Sequence, residues 1–368
     1  MTVKKVIPIY QPDLSGNEKR YVNECLDSNW ISSKGEFIER FENSFCEYLN
    51  IEYATSVSNG TVALHLALLA LGVGPGDEVI VPTLTYIASV NAIAMVGAKP
   101  VFVDSLNNTW NLDPSQLEGK INSKTKAIMA VHLYGSSCNM DELLKLCRKN
   151  KLFLIEDSAE AFGTKYKGKS AGSFGDVSTF SFFGNKTITT GEGGMVASNN
   201  KDIIEKISHL KSQAVSKNRE YWHNELGYNY RMTNICAAIG LAQLEKADEI
   251  LEKKSFLADL YYQELYDCPL DFQSLPEDTV SSFWMVSICL ENIETRDRIR
   301  EHLKRSFIET RPIFYPAHTM PFFKNNEQYV VAESIASRGI NLPSFPGLKK
   351  HQLKSICDEI KLSLINNS

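Results

Sequence analysis

The chain has no Cys-x-x-Cys pair, no internal repeat, no excess of basic residues and no long uncharged apolar run. Each absence excludes something. The eight cysteines, Cys25, Cys46, Cys138, Cys147, Cys236, Cys268, Cys289 and Cys357, are scattered rather than clustered. That spacing fits neither a zinc ribbon nor a compact disulfide framework. Most lie in apolar stretches and read as reduced core thiols, so no metal centre is expected. The formal net charge is -5, the opposite of the basic balance of a nucleic-acid binder. A local basic pocket for a phosphorylated ligand remains open. No stretch reaches the roughly 18 uncharged apolar residues of a membrane span. The opening MTVKKVIPIYQPDL lacks the apolar core of a signal peptide and meets Pro8 early. A cytoplasmic protein with no nucleic-acid or membrane partner is expected.

What is present is a large apolar store, 43% of 368 residues, enough for two domains or for one large domain with an appendage. From about residue 50 to 200, helical and strand patterns alternate. TVALHLALLALG (61–72) and IASVNAIAMVG (87–97) read as buried helices ending at glycine. DEVIVP (77–82), PVFVD (100–104), KAIMAVHLYG (126–135), LFLIED (152–157), DVSTFSFF (176–183) and GMVAS (194–198) read as strands. Such alternation predicts an α/β fold with a mostly parallel sheet covered on both faces. Residues 232–265 carry helical spacing as one long helix or two in series. Beyond them, FWMVSICL (283–290) reads as a strand, ETRDRIREHLKRS (294–306) and HQLKSICDEIKLSL (351–364) as helices. The predicted division is a large domain over 1–245 and a small α+β domain over 246–368, with the N-terminal segment free to pack near the latter.

Four segments carry chemistry. SNGTVALHL (58–66) sets small polar residues before an apolar helix, an N-terminus suited to a phosphate, to which Thr61 adds a hydroxyl. Ser58 or Asn59 serves equally well as a plain N-cap. Asp157 ends an apolar strand, at the sheet edge where open α/β folds bind ligands, and a carboxylate there can hold a heterocyclic nitrogen protonated. A helix-capping Asp explains it too. Glu160 follows one turn later. In SFFGNKTITTGEGG (181–194) a single lysine, Lys186, follows a buried strand. In an apolar site its amine would be depressed in pKa and nucleophilic; in a surface turn it would be an ordinary solvated lysine. GYNYRMT (227–233) places Asn229 and Arg231 before a helix, where aromatic packing and a salt bridge also account for them. His65, inside an apolar helix, reads as a packed core histidine. In this order, a phosphate-binding helix start, a strand-end Asp and a strand-end Lys fit pyridoxal 5′-phosphate.

The chain resembles the sugar aminotransferases of the DegT/DnrJ/EryC1/StrS family. The resemblance runs through WISSKGEFIERFE (30–42), VSNGTVALHLALLALGVGPGDEVIVPTLTYIASVNAI (57–93), IEDSAEAFG (155–163), FSFFGNKTITTGEGGM (180–195), GYNYRMTNICAAIG (227–240), RPIFYPAH (311–318) and GINLPSFP (339–346). It implies the aspartate-aminotransferase-like fold, pyridoxal-phosphate fold type I, with pyridoxamine 5′-phosphate as the intermediate form of the cofactor. By residue, it implies Lys186 as the Schiff-base lysine and Asp157 as the partner of the pyridinium nitrogen. Glu160 stands where Gln is frequent, near the ring hydroxyl, and Tyr86 stacks on the ring. Gly60, Thr61 and Ser181 contact the phosphate, and Asn229 reaches the cofactor of a partner subunit. That last role implies a homodimer with shared active sites, with tetramers left open. The implied reaction moves an amino group from L-glutamate to a nucleotide-linked 4-keto sugar. The wording VPTLTYIASVNAI and ETRPIFYPAHTMP narrows that sugar to GDP-4-keto-6-deoxy-D-mannose, with dTDP- or UDP-linked sugars as alternatives. Lys34, Arg231 and Arg311 are candidate diphosphate contacts, and Tyr315 and His318 candidate sugar contacts. A lysine at 186 favours amination over the dehydration that a histidine there implies. A non-catalytic cofactor-binding regulator is the rival from another class.

Overall fold

The computed structural model describes residues 6–365. Its centre is a 7-stranded sheet. In chain order the strands are β1 (Tyr53–Val57), β2 (Glu78–Pro82), β3 (Lys99–Val103), β4 (Thr125–Val131), β5 (Phe153–Asp157), β6 (Val177–Ser181) and β7 (Gly194–Ser198). In space they run β1-β7-β6-β5-β4-β2-β3. Only β7 runs against its neighbours; the pairings from β6 through β5, β4 and β2 to β3 are parallel. The sequence explains this arrangement. All of β2, Glu-Val-Ile-Val-Pro, is buried, as an interior parallel strand covered on both faces must be. Along β4 the period of two separates the cores: Ala127, Met129 and Val131 join one apolar cluster, Ile128 and Ala130 another.

After helices α1 (Glu18–Asp27) and α2 (Glu36–Leu49), helix α3 (Gly60–Ala70) buries every residue from Val62 to Leu68. It has no solvent face because it lies among β6, β7, a fourth helix α4 (Ile87–Met95) and a later one, Lys201–Leu210. A separate aromatic cluster backs β6. Phe41 and Phe45, on the helix Glu36–Leu49, meet Phe182 at ring distances of 5.3 and 5.9 Å. This contact anchors the chain just beyond β6, four residues before Lys186.

The expected helix over 232–265 is two helices, Asn234–Glu245 and Ala247–Glu264, broken at Lys246 (φ -107°, ψ 6°). The second packs on an apolar core with the helices Ile293–Arg305 and Lys350–Ile365. A 4-stranded antiparallel sheet completes this part: Asp271–Phe272, Val286–Cys289, Gly339–Leu342 and Arg311–Pro312, in that spatial order. The N-terminal segment crosses to it. Glu309 N–H donates to the Ile7 carbonyl at 2.9 Å, and Ser344 N–H to the Ile9 carbonyl at 3.2 Å.

Lys254, within the second helix, is 1% exposed. Its amine donates to the carbonyls of Trp284 at 3.2 Å and Ser344 at 2.7 Å. No carboxylate is paired with it among the described residues, and burial pushes its pKa down to about 7. A lysine depressed by folding binds fewer protons folded than unfolded between about pH 7 and its ordinary value near 10.4, so stability rises with pH across that window. Denaturant midpoints should show wild type gaining up to about 1.4 kcal/mol per pH unit there relative to Lys254→Met. Parallel pH dependence of the two proteins would contradict the assignment.

Candidate active site

The topology brings four segments to one end of the sheet. Asp157 and Ser181 are the last residues of the parallel strands β5 and β6, with Asp157 in register with Thr179. Gly194, at the start of antiparallel β7, is in register with both Ser181 and Val57, the end of β1. Helix α3 then begins at Gly60, capped by Asn59, whose Oδ1 accepts the Val62 N–H at 3.0 Å.

This helix start makes a cradle. The first N–H groups of a helix lack partners within it. Asn59 takes that of Val62, leaving those of Gly60 and Thr61 to face outward with the positive end of the helix dipole. A Cβ on Gly60 would lie 2.8 Å from Cβ and 3.2 Å from Oγ of Ser181. Only glycine lets the hydroxyl of Ser181 and the helix end share this space. The donors suit a phosphate group.

Lys186 sits on the loop after β6, its side chain 13% exposed. Its backbone N–H bonds to the Phe183 carbonyl at 2.9 Å, and its own carbonyl accepts the Tyr10 hydroxyl at 2.7 Å. The amine lies 3.9 Å from Oε1 of Glu160 and 3.9 Å from the centre of the Trp284 ring. It makes no hydrogen bond among the described residues. Burial depresses its pKa, and the charges of Glu160 and Asp157 partly offset this. Lys211 and Lys254 are also buried, but hydrogen bonds engage both: Lys211 to the Thr55 hydroxyl at 2.6 Å and the Ser56 carbonyl at 2.7 Å, Lys254 to the two carbonyls above. Lys186 is therefore the buried amine left free to react.

The two carboxylates differ. Asp157 accepts the Ser89 hydroxyl at 2.7 Å and the Ala159 N–H at 3.1 Å. Glu160 accepts the Tyr134 N–H at 2.8 Å; burial pushes its pKa up to about 7 against the opposing pull of Lys186. Glu156, on the opposite face of β5, is engaged by His132 and by the N–H groups of Gly172, Phe174 and Gly175, and serves the fold.

Tyr86, at the N-cap of α4, is 54% exposed, with its ring 5.4 Å from that of Phe314. Arg231 forms a β-bridge with Val57, while Ser58 N–H donates to the Tyr230 carbonyl at 2.8 Å, so this segment lies beside the cradle. The Nε of Arg231 is buried with no hydrogen-bond partner among the described residues. Asn229, two residues earlier, is exposed and bridges to Ser212. Lys34 is exposed and lines a cavity of about 580 Å³ with Trp30, Glu36 and Asn234, which does not include the Lys186 cluster. Arg311 pairs with Glu309 at 2.5 Å, and Tyr315 is exposed. His318, the other candidate sugar contact, is enclosed. It is 4% exposed, with Nδ1 2.7 Å from the Thr83 hydroxyl and Nε2 3.2 Å from Glu333. Both ring nitrogens are engaged in packing. His65 is buried with its ring edge-on to those of Tyr228 and Tyr230.

Two aromatic residues of the site were not singled out from sequence. Tyr134 lies in the expected strand 126–135, but β4 ends at Val131 and Tyr134 turns at φ +55° to present its N–H to Glu160. Trp284 precedes the strand Val286–Cys289 rather than opening it, because Phe283 bends the chain at φ +44°. A lone Trp before a β-rich run carried no signal of its partner 98 residues away.

A family model for DegT/DnrJ/EryC1/StrS aminotransferases matches residues 12–361. The chain belongs to that family. It is 58% identical to the GDP-perosamine synthase of Escherichia coli O157:H7, over 97% of this chain and 98% of that one. With the GDP-perosamine synthase of Vibrio cholerae the identity is 52%, over 97% and 98%. A putative sugar aminotransferase of Streptococcus pneumoniae, Spr1654, solved in a PMP form, superposes with a TM-score of 0.94 at 29% identity, over 98% of both chains.

Gly60→Ala should weaken retention of pyridoxal 5′-phosphate about 10- to 100-fold, the equivalent of roughly 1–3 kcal/mol of overpacking. Cofactor absorbance after gel filtration reads this, and unaltered retention would remove Gly60 from the cradle.

Proposed function

We propose that this chain transfers an amino group from L-glutamate to C4 of GDP-4-keto-6-deoxy-D-mannose, giving GDP-perosamine. The observation that carries the reading is the unbonded, buried amine of Lys186, set beside Glu160 and at the same sheet edge as Asp157 and a phosphate cradle. The acceptor is supported by the 58% and 52% identity to enzymes named for that product. Pyridoxal 5′-phosphate is the cofactor. When bound it supplies an electron sink that makes the proton on the amino-bearing carbon labile.

The protein's part follows from its own groups. Gly60, Thr61 and Ser181 hold the phosphate. Asp157, fixed by Ser89 and Ala159, keeps the ring nitrogen protonated. Tyr86 offers an exposed ring for stacking. Lys186 would hold the cofactor through its amine; with that amine free, it would take the proton from the donor carbon as general base and give it back as general acid. Glu160, its pKa pushed up to about 7 by burial, can donate to or accept from a ring hydroxyl. Arg231, whose buried Nε has no partner among the described residues, is the diphosphate contact this reading favours, with Lys34 and Arg311 as the other candidate cations.

A second copy of the chain completes the site through Asn229 in this reading. The same segment exposes Tyr221 (95%) and Leu226 (77%), apolar side chains that a partner subunit would cover.

Lys186→Ala should lower turnover by at least about 10²- to 10⁴-fold, the usual worth of general acid–base catalysis, and remove the absorbance of the lysine-linked cofactor. Comparable turnover by that variant would refute the assignment. A panel of GDP-, UDP- and dTDP-linked 4-keto sugars tests the acceptor: the GDP sugar should be preferred, and equal use of all three would refute the GDP assignment. In Glu160→Gln the carboxylate that supports the Lys186 cation is gone. The rising limb that reports the free amine should therefore move to lower pH in kcat profiles, and an unmoved limb would contradict the coupling.

A further inference from the structure

Trp284 lies far from the chemistry in sequence and touches it in space. Its ring faces the Lys186 amine at 3.9 Å from the centroid. Its indole N–H donates to the carbonyl of Asn185, the residue before the lysine, at 2.6 Å. The tryptophan is itself held from several sides. Its carbonyl accepts from the buried Lys254 at 3.2 Å. Its backbone passes so close to Gly135 that a Cβ there would lie 3.0 Å from the Trp284 nitrogen.

Trp284 also begins an aromatic ladder. Its ring stacks on Tyr134 at 5.9 Å and 17°, Tyr134 on Phe314 at 5.1 Å and 30°, and Phe314 meets Tyr86 at 5.4 Å and 53°. Trp284 and Phe314 come from the C-terminal part of the chain, Tyr134 and Tyr86 from the turns that follow the central strands β4 and β2. The four rings interleave the two parts and lead from the lysine amine to the exposed ring of Tyr86.

Resting on the aminotransfer reading above, we infer that Trp284 is a positioning residue for Lys186. Its ring face holds the amine between proton transfers, and its N–H tethers the loop that carries it. The face of an indole attracts a cation within about 6 Å. Apart from the ring, the amine of Lys186 has one ion pair among the described residues, Glu160 at 3.9 Å, beyond hydrogen-bond range. The charged groups facing the amine are Glu160 and Asp157; from the N-terminal segment Tyr10 reaches only the Lys186 carbonyl. Trp284 adds an uncharged hold that does not compete for the proton.

The test uses the enzyme in its pyridoxamine form, made by treating the holoenzyme with L-glutamate, in which the Lys186 amine is free. Mass spectrometry follows methylation of Lys186 by formaldehyde and a mild borane from about pH 6 to 10, bracketing the usual lysine range. The rate tracks the neutral amine, and its midpoint separates protonation from access. Trp284→Leu removes the face, so the midpoint should fall by about one pH unit. Trp284→Phe keeps a face and loses the N–H. Its midpoint should stay near wild type while kcat falls several-fold with KM for both substrates unchanged. A wild-type midpoint in Trp284→Leu, or an equal fall in both variants, overturns the inference. If the Leu variant does not fold, Trp284→Phe decides alone: an unchanged kcat, or a fall matched by a rise in KM, overturns it. Failure of the wild type to form the pyridoxamine form with L-glutamate would instead sink the aminotransfer reading itself.

Discussion

An ammonium group buried without help is unstable, and the site is organised around supplying that help without tying the amine down. Three lysines are withdrawn from most of the solvent, Lys211 and Lys254 buried and Lys186 13% exposed, and the chain treats them differently. Lys254 is met by backbone carbonyls, and Lys211 by a hydroxyl, a carbonyl and the carboxylate of Glu42 at 3.5 Å. Both are held and inert. Lys186 has two carboxyl groups nearby and a ring face above it, and no hydrogen bond among the described residues to its amine. A nucleophile and proton carrier needs this combination of burial and freedom.

The rest of the fold serves that balance. Parallel strands β5 and β6 deliver Asp157 and Ser181 to the same edge. The aromatic cluster under β6 fixes Phe182, and Tyr10 and Trp284 grip the backbone carbonyls on either side of the Lys186 α-carbon, so the lysine loop is held at its carbonyls while its side chain is left free. Two of these grips come from parts of the chain outside the central sheet, which makes the packing of those parts a condition of the chemistry.

Sequence patterning reached the sheet and the polar end of the site because both have local signatures. A fully apolar strand, a Gly-terminated helix and an Asp at a strand end are readable where they stand. The helix start at Asn59-Gly60-Thr61 was legible for the same reason, although only the 2.8 Å approach of a Gly60 Cβ to Ser181 explains why that residue is glycine. What was not legible depends on distant pairs. Tyr134 became visible only when its positive φ turned its N–H toward Glu160. Trp284 looked like the start of a strand. The enclosure of His318 was not legible, because a motif cannot show that Thr83 and Glu333 engage both ring nitrogens. The break at Lys246 lies in a stretch whose apolar spacing suits one helix or two.

The account turns on which amine carries the cofactor. Reduction of the resting holoenzyme with borohydride, followed by peptide mapping, fixes the cofactor to its lysine and identifies it by mass. The account predicts the added mass on Lys186 and none on Lys211 or Lys254. Label on either of those, with Lys186 unmodified, would contradict it.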